Sequence, residues 1–547
     1  MKELSRRNFI KGALAGGAAV AAGAGLAACS PASPQSAAAD GQKAAEAGAE
    51  GAASTGGGRW SWSVKPEPIT EFADTYDADV CIVGLGAAGA PSALYAATHG
   101  LKTVVLQKGN AAISNGWCAN AINNKAWLES GGEPFDTGKL YADFAEISNG
   151  RDNGKLVMNF LNRGGEVMNW IMDSTPEKTP VVVEKGQTIG WYVDNDFSTR
   201  YAQYAELLKL MGDKAEAAGA TMLWDTPAVQ LITNESGDVT GVIGQNKKGE
   251  YVRVNTSKGV LMACGDISDD EEMLECYAPL LLGVHNMHGA PNNTGDAVRM
   301  GSWIGAQVTP APHALMMHFD PTWLPEGNAP FSGIPWLRVN KKGVRFGNED
   351  APYQGVVQAV AAQPEKLAFQ ITDSHWMDHI DDMPNPNSHS RETADPAKDW
   401  EKAVKGGAII ESDTLEGLAE AYDIDKQTFL ATVERYNELC DKGVDEDFGV
   451  KGEFMGYTAI KEPPFYAIKR APGVLATVGG LQVEEHSRVL DENGDVIKGL
   501  WAAGDCGGSF YGHEYPMVLP GGSIGRGFVL GVLSIKDMMD DFDSMTA

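Results

Sequence analysis

Apolar runs alternate with helical stretches along the chain from about residue 70 onward. The apolar run 79–83 leads directly into the stretch 84–89, which has the form G-x-G-x-x-G. An Ala-rich stretch of helical character follows, and then a second apolar run, 102–107. Strand, glycine turn, helix and strand form a βαβ unit, whose helix offers unpaired N–H groups to a phosphate at its N-terminus. This pattern predicts a Rossmann-like domain of the α/β class.

The small residues of the first turn have distinct predicted tasks. Gly84 permits the tight turn, Gly86 lets a pyrophosphate approach the backbone, and Gly89 lets the helix pack closely on the strand. Ala88 lies in the same turn. Because the pattern follows a strand and opens a helix, we expect these residues to bind a dinucleotide.

Two later apolar runs also end in glycine turns. The run 259–264 is followed by Gly265, and the run 499–503 is followed by Gly504 and Asp505. The sequence Gly521-Gly522-Ser523 then opens a final apolar helix. These turns predict further loops of one nucleotide site.

The N-terminal residues predict a targeting signal instead of a folded element. Ser5-Arg6-Arg7-Asn8-Phe9 is typical of a twin-arginine export signal. The weakly apolar stretch 12–28 fits an export leader, and Leu26-Ala27-Ala28-Cys29 resembles a lipoprotein processing box, with Cys29 as the lipidated residue. The alternative is a poorly hydrophobic N-terminal helix. Residues 30–58 are mostly Ala, Gly, Ser, Pro and Gln, which predicts a flexible tether.

Composition limits the possible partners. The formal net charge of −29 argues against nucleic acid and would suit docking of a basic electron-transfer protein. The seven cysteines form no C-x-x-C pair and no C-x-x-C-H haem motif. His375 and His379 lie four residues apart, but their flanks lack the H-E-x-x-H form, so a polar turn is expected and no metal site.

Together these segments resemble the fumarate reductase and flavocytochrome c flavoprotein family, which includes urocanate reductase, 3-ketosteroid dehydrogenases and gut actinobacterial enone reductases. The likeness covers most of the chain from Asp77 onward and rests on the glycine turns, on 114–117 and 123–124, and on the T-G-D turn in 292–296. It implies that the cofactor is FAD. The residues that it places at FAD are Gly84, Gly86, Ala88, Gly89, Gln107, Ser114, Asn115, Gly116, Asn124, Gly265, Thr294, Asp296, Asp505, Ser523 and Ile524.

The resemblance also assigns tasks to some of these residues. Gln107 stands where an acidic residue usually holds the adenosine ribose, and its amide oxygen can accept a hydroxyl proton. Asp505 would bind the ribitol hydroxyls. The backbone N–H groups of Ser523 and Ile524 would face the flavin pyrimidine edge, where negative charge collects on reduction.

The family architecture implies a Rossmann-like FAD-binding domain with an inserted α+β capping domain. The boundaries expected for this chain are a signal at 1–29, a tether at 30–70, FAD-binding segments at 71–309 and 471–547, and a cap at 310–470. Within the cap, the stretch 412–442 has helical periodicity with mixed charges and predicts an exposed helix.

The groups that would grip a dicarboxylate are missing from the corresponding positions. Tyr353 stands four residues after Glu349, where fumarate reductases have the arginine that delivers a proton. The family's H-P-T is Asp320-Pro321-Thr322 here, with His318 two residues earlier. Leu475-Ala476 replaces the paired histidines, and Val518-Leu519-Pro520 replaces the C-terminal substrate arginine. Burial of a dianion without these partners is very costly, so fumarate and succinate are not expected as substrates.

Aromatic residues take the place of those groups. They are Trp117, Trp323, Phe331, Trp336, Tyr353, Tyr511 and Tyr515. An apolar pocket with phenolic donors suits a neutral, flat molecule with a conjugated carbonyl, such as a steroid enone, an unsaturated lactone or a plant phenolic. The alternative is that most of these aromatic side chains are ordinary core.

The expected chemistry is reduction of an activated C=C bond by hydride from flavin N5. Tyr353 would protonate the α-carbon, while Tyr515 and the Gly521 N–H would polarise the carbonyl, as a tyrosine and a glycine do in ketosteroid dehydrogenases. His318 is a further catalytic candidate. An external multihaem cytochrome is the expected electron donor, and a lipid anchor would hold the exported protein on the membrane. The rival hypotheses are a 3-ketosteroid-type dehydrogenase and a surface flavoprotein that only relays electrons or binds a ligand.

Overall fold

The structure is a computed structural model that describes residues 60–183, 188–193, 199–287, 293–319, 329–380, 382–383 and 395–544. All of them belong to one compact unit. The described strands are β1 Asp74–Val83, β2 Thr103–Leu106, β3 Cys118–Asn120, β4 Val181–Val182, β5 Thr188–Gly190, β6 Thr221–Leu223, β7 Ala228–Thr233, β8 Val239–Gln245, β9 Tyr251–Met262, β10 His285–Asn286, β11 Ala314–Phe319, β12 Arg338–Val339, β13 Ala368–Thr372, β14 Ile409–Ser412, β15 Phe465–Arg470, β16 Pro472–Val478, β17 Arg488–Leu490 and β18 Val496–Ala502.

The described helices are α1 Gly89–Thr98, α2 Lys125–Glu129, α3 Thr137–Ile147, α4 Gly154–Ser174, α5 Arg200–Ala217, α6 Glu271–Tyr277, α7 Asp296–Ser302, α8 Tyr353–Ala361, α9 Pro396–Lys405, α10 Leu415–Ala421, α11 Lys426–Lys442, α12 Gly452–Met455 and α13 Gly522–Met538. Within the described ranges, no helix has both the length and the apolar run that crossing a bilayer requires.

The largest sheet has the order β17-β18-β9-β1-β2-β6. Strands β18, β9, β1, β2 and β6 run parallel, and the antiparallel pair β7–β8 extends from β9. Parallel strands are buried on both faces, which explains why residues 80–83 and 103–106 are apolar or buried throughout. The carboxyl ends of β1, β9 and β18 therefore lie side by side, where open α/β sheets bind ligands.

A second layer is built by the middle of the chain. Strands β12, β13, β15 and β14 form an antiparallel sheet, and α9 to α12 lie in the same part of the sequence. A separate hydrophobic cluster draws all its buried residues from 329–468. This is the inserted α+β domain that the sequence predicted, while its exact expected boundaries stay a prediction.

The stretch 412–442 is not the single exposed helix predicted from its periodicity. It contains the end of β14, then α10 and α11, with a break at 422–425. Asp423 has a positive φ of 50°, and the Asp425 carboxylate accepts the Thr428 N–H, which caps α11. The periodicity predicted helix correctly, but local capping divides it.

A buried ion cluster ties the cap hairpin to the loop after α11. Arg345 Nη2 lies 2.7 Å from Glu349 Oε2 and 2.8 Å from Asp445 Oδ2. Burial would raise the pKa of Asp445, but Arg345 and backbone N–H groups outweigh it and lower that pKa to about 2. The cluster fixes the position of the Glu349 side chain. Tyr353, the first residue of α8, follows four residues later in the sequence.

We expect Arg345→Met to destabilise the protein by about 3–5 kcal/mol, because it leaves two buried carboxylates without their cation. Chemical denaturation of the purified protein measures this. Arg435→Met is the control: Arg435 pairs with three acidic residues, Glu438, Glu446 and Asp447, but on the surface, so its midpoint should hardly move. Equal midpoints for both variants would contradict the structural role of the cluster.

Candidate active site

A small crevice lies at the carboxyl ends of the parallel strands. Its lining residues are Gly265, Asp266, Ile267, Gly295, Ala297, Val298, Thr477, Gly480, Asp505 and Cys506. They come from the turns after β9 and β18, from α7 and from the segment around β16. Two of the predicted glycine turns, at Gly265 and at Gly504-Asp505, therefore meet at one crevice.

Glycine is required where the backbones of β1, β9 and α1 meet. Gly84 has a φ of +100°, and a Cβ on it would lie 2.3 Å from the carbonyl oxygen of Ala263. A Cβ on Gly89 would lie 1.9 Å from the Gly84 carbonyl oxygen. Gly86 has more room, since its Cβ would meet the Ile113 carbonyl oxygen at 3.0 Å. Ala88 immediately precedes the first residue of α1. This is the close packing that a phosphate-binding turn needs.

Gln107 holds the glycine turn through the hydrogen bonds of its side-chain amide. Its amide oxygen accepts the Leu85 N–H at 2.9 Å, and its amide nitrogen donates to the Ala111 carbonyl at 2.8 Å. The predicted contact with a ribose would use the second lone pair of that oxygen. The structure therefore adds a role in shaping the turn, and the ribose contact stays a prediction.

Thr294 and Asp296 form a polar group with Lys108, the residue after Gln107. Lys108 Nζ donates to Thr294 Oγ1 at 2.8 Å and lies 3.1 Å from Asp296 Oδ2. Thr294 Oγ1 also donates to Asp296 Oδ1 at 2.9 Å. The T-G-D turn is thus brought to the end of β2, beside the crevice, as expected from its predicted cofactor role.

Residues 114–116, in the loop after β2, contact two other parts of the structure. Asn115 Nδ2 donates to the Leu475 carbonyl at 3.2 Å, which links this loop to β16, and Ser114 Oγ contacts the Asn115 carbonyl oxygen at 3.4 Å. Gly116 has a φ of +84°, and a Cβ on it would lie 2.6 Å from Ile524, the third residue of α13. Gly116 therefore lies at the N-terminus of α13, and Asn115 lies at β16.

Asn124 has a structural role besides the predicted cofactor contact. It is fully buried, its amide oxygen accepts the Trp127 N–H at 3.0 Å, and its amide nitrogen donates to the Ala121 carbonyl at 2.6 Å. The amide oxygen is the N-cap of α2, and the amide nitrogen ties it to the preceding turn. The cofactor contact of Asn124 stays a prediction.

Asp505 is held by α13. Its Oδ1 accepts from Ser523 Oγ at 2.7 Å and from Arg526 Nη2 at 2.8 Å. Arg526 is itself buried and donates from Nη1 to the Gly507 carbonyl at 3.0 Å. A carboxylate has about four acceptor positions, so Asp505 keeps capacity for ribitol hydroxyls.

The N–H of Ser523 has a protein partner in this structure, and its predicted contact with the flavin stays a prediction. It donates to the Tyr515 hydroxyl oxygen at 3.2 Å. Burial raises the pKa of Tyr515 to about 12, so the phenol remains protonated at neutral pH. Because its oxygen already accepts a hydrogen bond, its proton remains for donation to another group.

Gly521 is the N-cap of α13, with a φ of +73°. Its carbonyl accepts the Asn120 N–H at 2.9 Å, and a Cβ on Gly525 would lie 1.9 Å from the Asn120 carbonyl oxygen. This contact seats the last helix against β3. The Gly521 N–H, the predicted carbonyl donor, belongs to the preceding peptide, whose Pro520 carbonyl accepts from Asn120 Nδ2 at 3.3 Å and from Thr188 Oγ1 at 2.8 Å.

Tyr353 is buried at the first turn of α8. Its hydroxyl oxygen accepts the Phe319 N–H at 3.1 Å, and the Ser332 hydroxyl also interacts with the phenol. The backbone N–H engages one lone pair of the phenol oxygen, and the phenol keeps its proton. Burial raises the pKa of Tyr353 above its ordinary value of 10.0, and the phenol is neutral at physiological pH. The His318 ring lies 5.7 Å from the Tyr353 ring.

Helix α8 brings the cap side of the site to the C-terminal loop. Gln354 Oε1 accepts the Met317 N–H at 2.7 Å, and Gln358 Nε2 donates to Glu514 Oε2 at 3.1 Å. Tyr515 follows Glu514 directly. The two candidate phenols therefore lie on segments in direct contact.

The predicted aromatic lining divides into core and site. Trp336 is fully buried in the cap, where its ring lies 5.9 Å from Trp400 and 6.2 Å from Phe331, so both predicted cap aromatics belong to ordinary core. Tyr511 is buried with its ring 4.9 Å from Tyr515. Cys29, Asn292, Trp323 and the segment 320–322 lie outside the described residues.

Sequence reasoning missed three buried charged residues. They are Asp266, Arg338 and Arg470. Burial, and to a smaller extent the nearby negative charge of Asp505, raises the pKa of Asp266 to about 7. The sequence predicts the glycine turn that precedes Asp266, but it does not show that the carboxyl group is buried near Asp505. The two arginines come together only through the register of the cap sheet.

The chain belongs to the FAD binding domain family, whose sequence profile matches residues 79–518. A profile for the TAT (twin-arginine translocation) pathway signal sequence matches residues 3–28. The vinyl phenol reductase of Lactiplantibacillus plantarum is 24% identical, over 84% of this chain and 95% of its own length. The digoxin reductase of Eggerthella lenta is 27% identical, over 93% of both chains.

Among solved structures, the open conformation of a flavocytochrome c3 fumarate reductase aligns with a TM-score of 0.64 and 22% identity, over 86% of this chain and 80% of its own. This likeness shows the shared fold. The predicted family, the fold class and the FAD cofactor are confirmed, and the protein is an FAD-dependent oxidoreductase with a twin-arginine export signal. The glycine backbone cradle at Gly84, Gly89 and Gly265 fits the cofactor, because a Cβ at each would meet an atom within 2.5 Å.

We expect Gly84→Ala to lose most of its bound FAD, because the new Cβ forces the phosphate turn away from Ala263. The ratio of flavin to protein absorbance measures this. Gly219→Ala is the matched control: Gly219 has a φ of +105° but open space around its Cβ position, so it bears the same backbone strain of about 1–2 kcal/mol without the collision. Flavin loss in both variants would point to general destabilisation, and retention in both would contradict the role of the turn.

Proposed function

We propose that this protein is an exported FAD-dependent reductase of a C=C bond conjugated to a carbonyl in a neutral, flat, largely apolar substrate. The observation that carries the proposal is the Tyr353 phenol: it is buried and protonated, and its oxygen accepts the Phe319 N–H. Such a group can donate its proton. It follows Glu349 by four residues, the spacing at which the fumarate reductases that the sequence resembles have their proton-donating arginine.

The bound cofactor supplies the hydride that the β-carbon receives. Tyr353 gives its proton to the α-carbon, so a C–H bond forms as the O–H bond breaks. Tyr515 and the Gly521 N–H donate to the carbonyl oxygen as negative charge develops there. His318, whose ring lies next to Tyr353, helps to enclose the acid and orient the substrate.

The preference for a neutral substrate rests on the partners of the site's cations. The guanidinium groups of Arg338 and Arg470 donate to backbone carbonyls and to Gln370, and Arg526 is paired with Asp505. A substrate with two carboxylates would have to compete with these bonds. The relatives named vinyl phenol reductase and digoxin reductase support an apolar molecule with one activated double bond.

Electrons would reach the cofactor from an external multihaem cytochrome, and Cys29 would carry the lipid that holds the enzyme on the membrane. The flavocytochrome fold likeness and the acidic net charge of −29 support the first of these proposals. The export signal at residues 3–28 supports an extracytoplasmic location for both.

Anaerobic titration tests the function. The holoprotein is reduced with dithionite and mixed with a panel of steroid enones, unsaturated lactones and plant phenolics, with fumarate as comparison. We expect rapid flavin reoxidation by at least one enone and not by fumarate. Brisk turnover of fumarate would contradict the proposal, flavin reduction by a saturated 3-ketosteroid would favour a desaturase, and reoxidation only by cytochromes or artificial carriers would favour an electron relay.

We expect Tyr353→Phe to lower kcat by about 10²–10⁴, because the general acid is lost. Flavin content should be retained. Tyr436→Phe is the control: Tyr436 is also buried in the cap, and its hydroxyl bonds Thr458 at 2.7 Å instead of a group of α8. A Tyr353→Phe enzyme within about twofold of the wild type would refute the assignment of the acid.

We expect Cys29→Ala to move the exported protein from the membrane fraction to the soluble fraction, because it removes the only predicted lipid attachment. Fractionation followed by immunoblotting measures this. The Cys440→Ala variant, with a buried cysteine of the cap changed, should stay with the membranes. An unchanged distribution of Cys29→Ala would contradict lipidation.

A further inference from the structure

Two buried arginines lie on one face of the cap sheet. In the strand register, Arg338 of β12 is opposite Gln370 of β13, and Arg470 of β15 is opposite Ala368 of β13. Residues 368 and 370 are two positions apart, so all three polar side chains point to the same face. We call Arg338, Gln370 and Arg470 the polar ladder; each is at most 4% exposed.

The ladder binds the backbone of the segment 329–334. Arg470 donates to the carbonyls of Ala329 and Pro330 at 2.7 and 2.6 Å. Arg338 donates to those of Ser332 and Ile334 at 2.8 and 3.0 Å. Gln370 donates to those of Phe331 and Ile334 at 3.3 and 2.7 Å. Five carbonyls of one short segment are therefore fixed by three side chains.

Among the described residues, neither guanidinium forms an ion pair. Arg470 Nε donates to the Gln370 amide oxygen at 2.8 Å, and Arg338 Nη1 donates to the Glu349 backbone carbonyl at 3.3 Å. The Glu349 carboxylate is bonded on both oxygens by Arg345. Burial of two like charges without a carboxylate of their own is unfavourable, and burial lowers the pKa of Arg470 to about 9 and of Arg338 to about 10. Both groups stay charged at neutral pH.

The ladder lies beside the Tyr353 phenol. The Arg338 guanidinium is 5.8 Å from the ring of Phe319, whose backbone N–H donates to the phenol oxygen. Ser332, held by the ladder through its carbonyl, interacts with the same phenol through its hydroxyl, and the charges of Arg470 and Arg338 both favour the phenolate. The other groups against Tyr353 are the Phe319 N–H and His318 of β11. The ladder thus supplies both position and positive charge at one oxygen.

We propose that Arg338 and Arg470 are positioning residues for the proton transfer: they hold Ser332 against Tyr353 and stabilise the phenolate that remains when Tyr353 has protonated the substrate. The inference rests on the proposed function. In the step, the Tyr353 O–H bond breaks, the new C–H bond forms, and the electron pair stays on the phenol oxygen. Water then returns a proton to the phenolate.

The test places 3,5-difluorotyrosine at position 353 of the holoprotein and follows its ionisation by ¹⁹F NMR. We expect Arg470→Gln to raise the titration midpoint by about one pH unit, because a nearby positive charge is lost. Arg470→Lys retains the charge and should keep the midpoint. Arg163→Gln, which removes a cation at the C-terminal segment, should leave it unchanged. No substrate is present, so this result is separate from that of the enone panel.

Turnover provides the second measurement. We expect Arg470→Gln to lower kcat about tenfold, the effect of roughly one pKa unit on the acid, with little change in KM. The same substitution should cost nothing further in the Tyr353→Phe background. We expect Arg338→Gln to change kcat and KM in the same way as Arg470→Gln. It replaces Arg470→Gln in both measurements if that variant does not fold. An unmoved midpoint in the folded Gln variant, equal shifts with Gln and Lys, or a full further loss of kcat in the Tyr353→Phe background would overturn the proposal.

Discussion

The close approach of three backbones at the end of the parallel sheet is the constraint on which the site depends. Where β1 turns into α1, the chain passes within van der Waals contact of the end of β9, and only glycine fits at Gly84 and Gly89. This contact brings the turns after β9 and β18 to one crevice. It also lets α13 lie along the same edge, with Asp505 fixed by Ser523 and Arg526. A cofactor pyrophosphate can then reach peptide N–H groups that no side chain obstructs.

The cap uses buried polar groups where the Rossmann-like domain uses close packing. Arg345 joins the hairpin to the loop after α11, and the polar ladder joins the sheet to the segment 329–334. Both clusters flank Tyr353, one through Glu349 and the other through Ser332. Buried charges contribute little net stability compared with apolar packing, but they specify one arrangement. The candidate acid is therefore held where an apolar core would leave several rotamers and loop conformations accessible.

The sequence predicted the fold because its main signals are local: glycine turns after apolar runs, and a motif that leads to Tyr353. It predicted less of the site, because neighbours distant in sequence decide what each group contacts. Asn124 caps the helix that follows it, and the Ser523 N–H donates to Tyr515, contacts that the sequence did not predict. Arg338 and Arg470 are more than a hundred positions apart and meet only through strand register, which periodicity does not give. The break at 422–425 depends on one aspartate cap within a continuous amphipathic pattern.

The position of α13 near the C-terminal end has a consequence for biogenesis. Tyr515, Gly521 and the helix that grips Asp505 are translated after every other part of the described crevice. The nascent chain can therefore complete this crevice only once α13 has left the ribosome, whereas the twin-arginine leader is synthesised first. Because the twin-arginine pathway carries folded proteins, FAD would bind before translocation, when this helix docks.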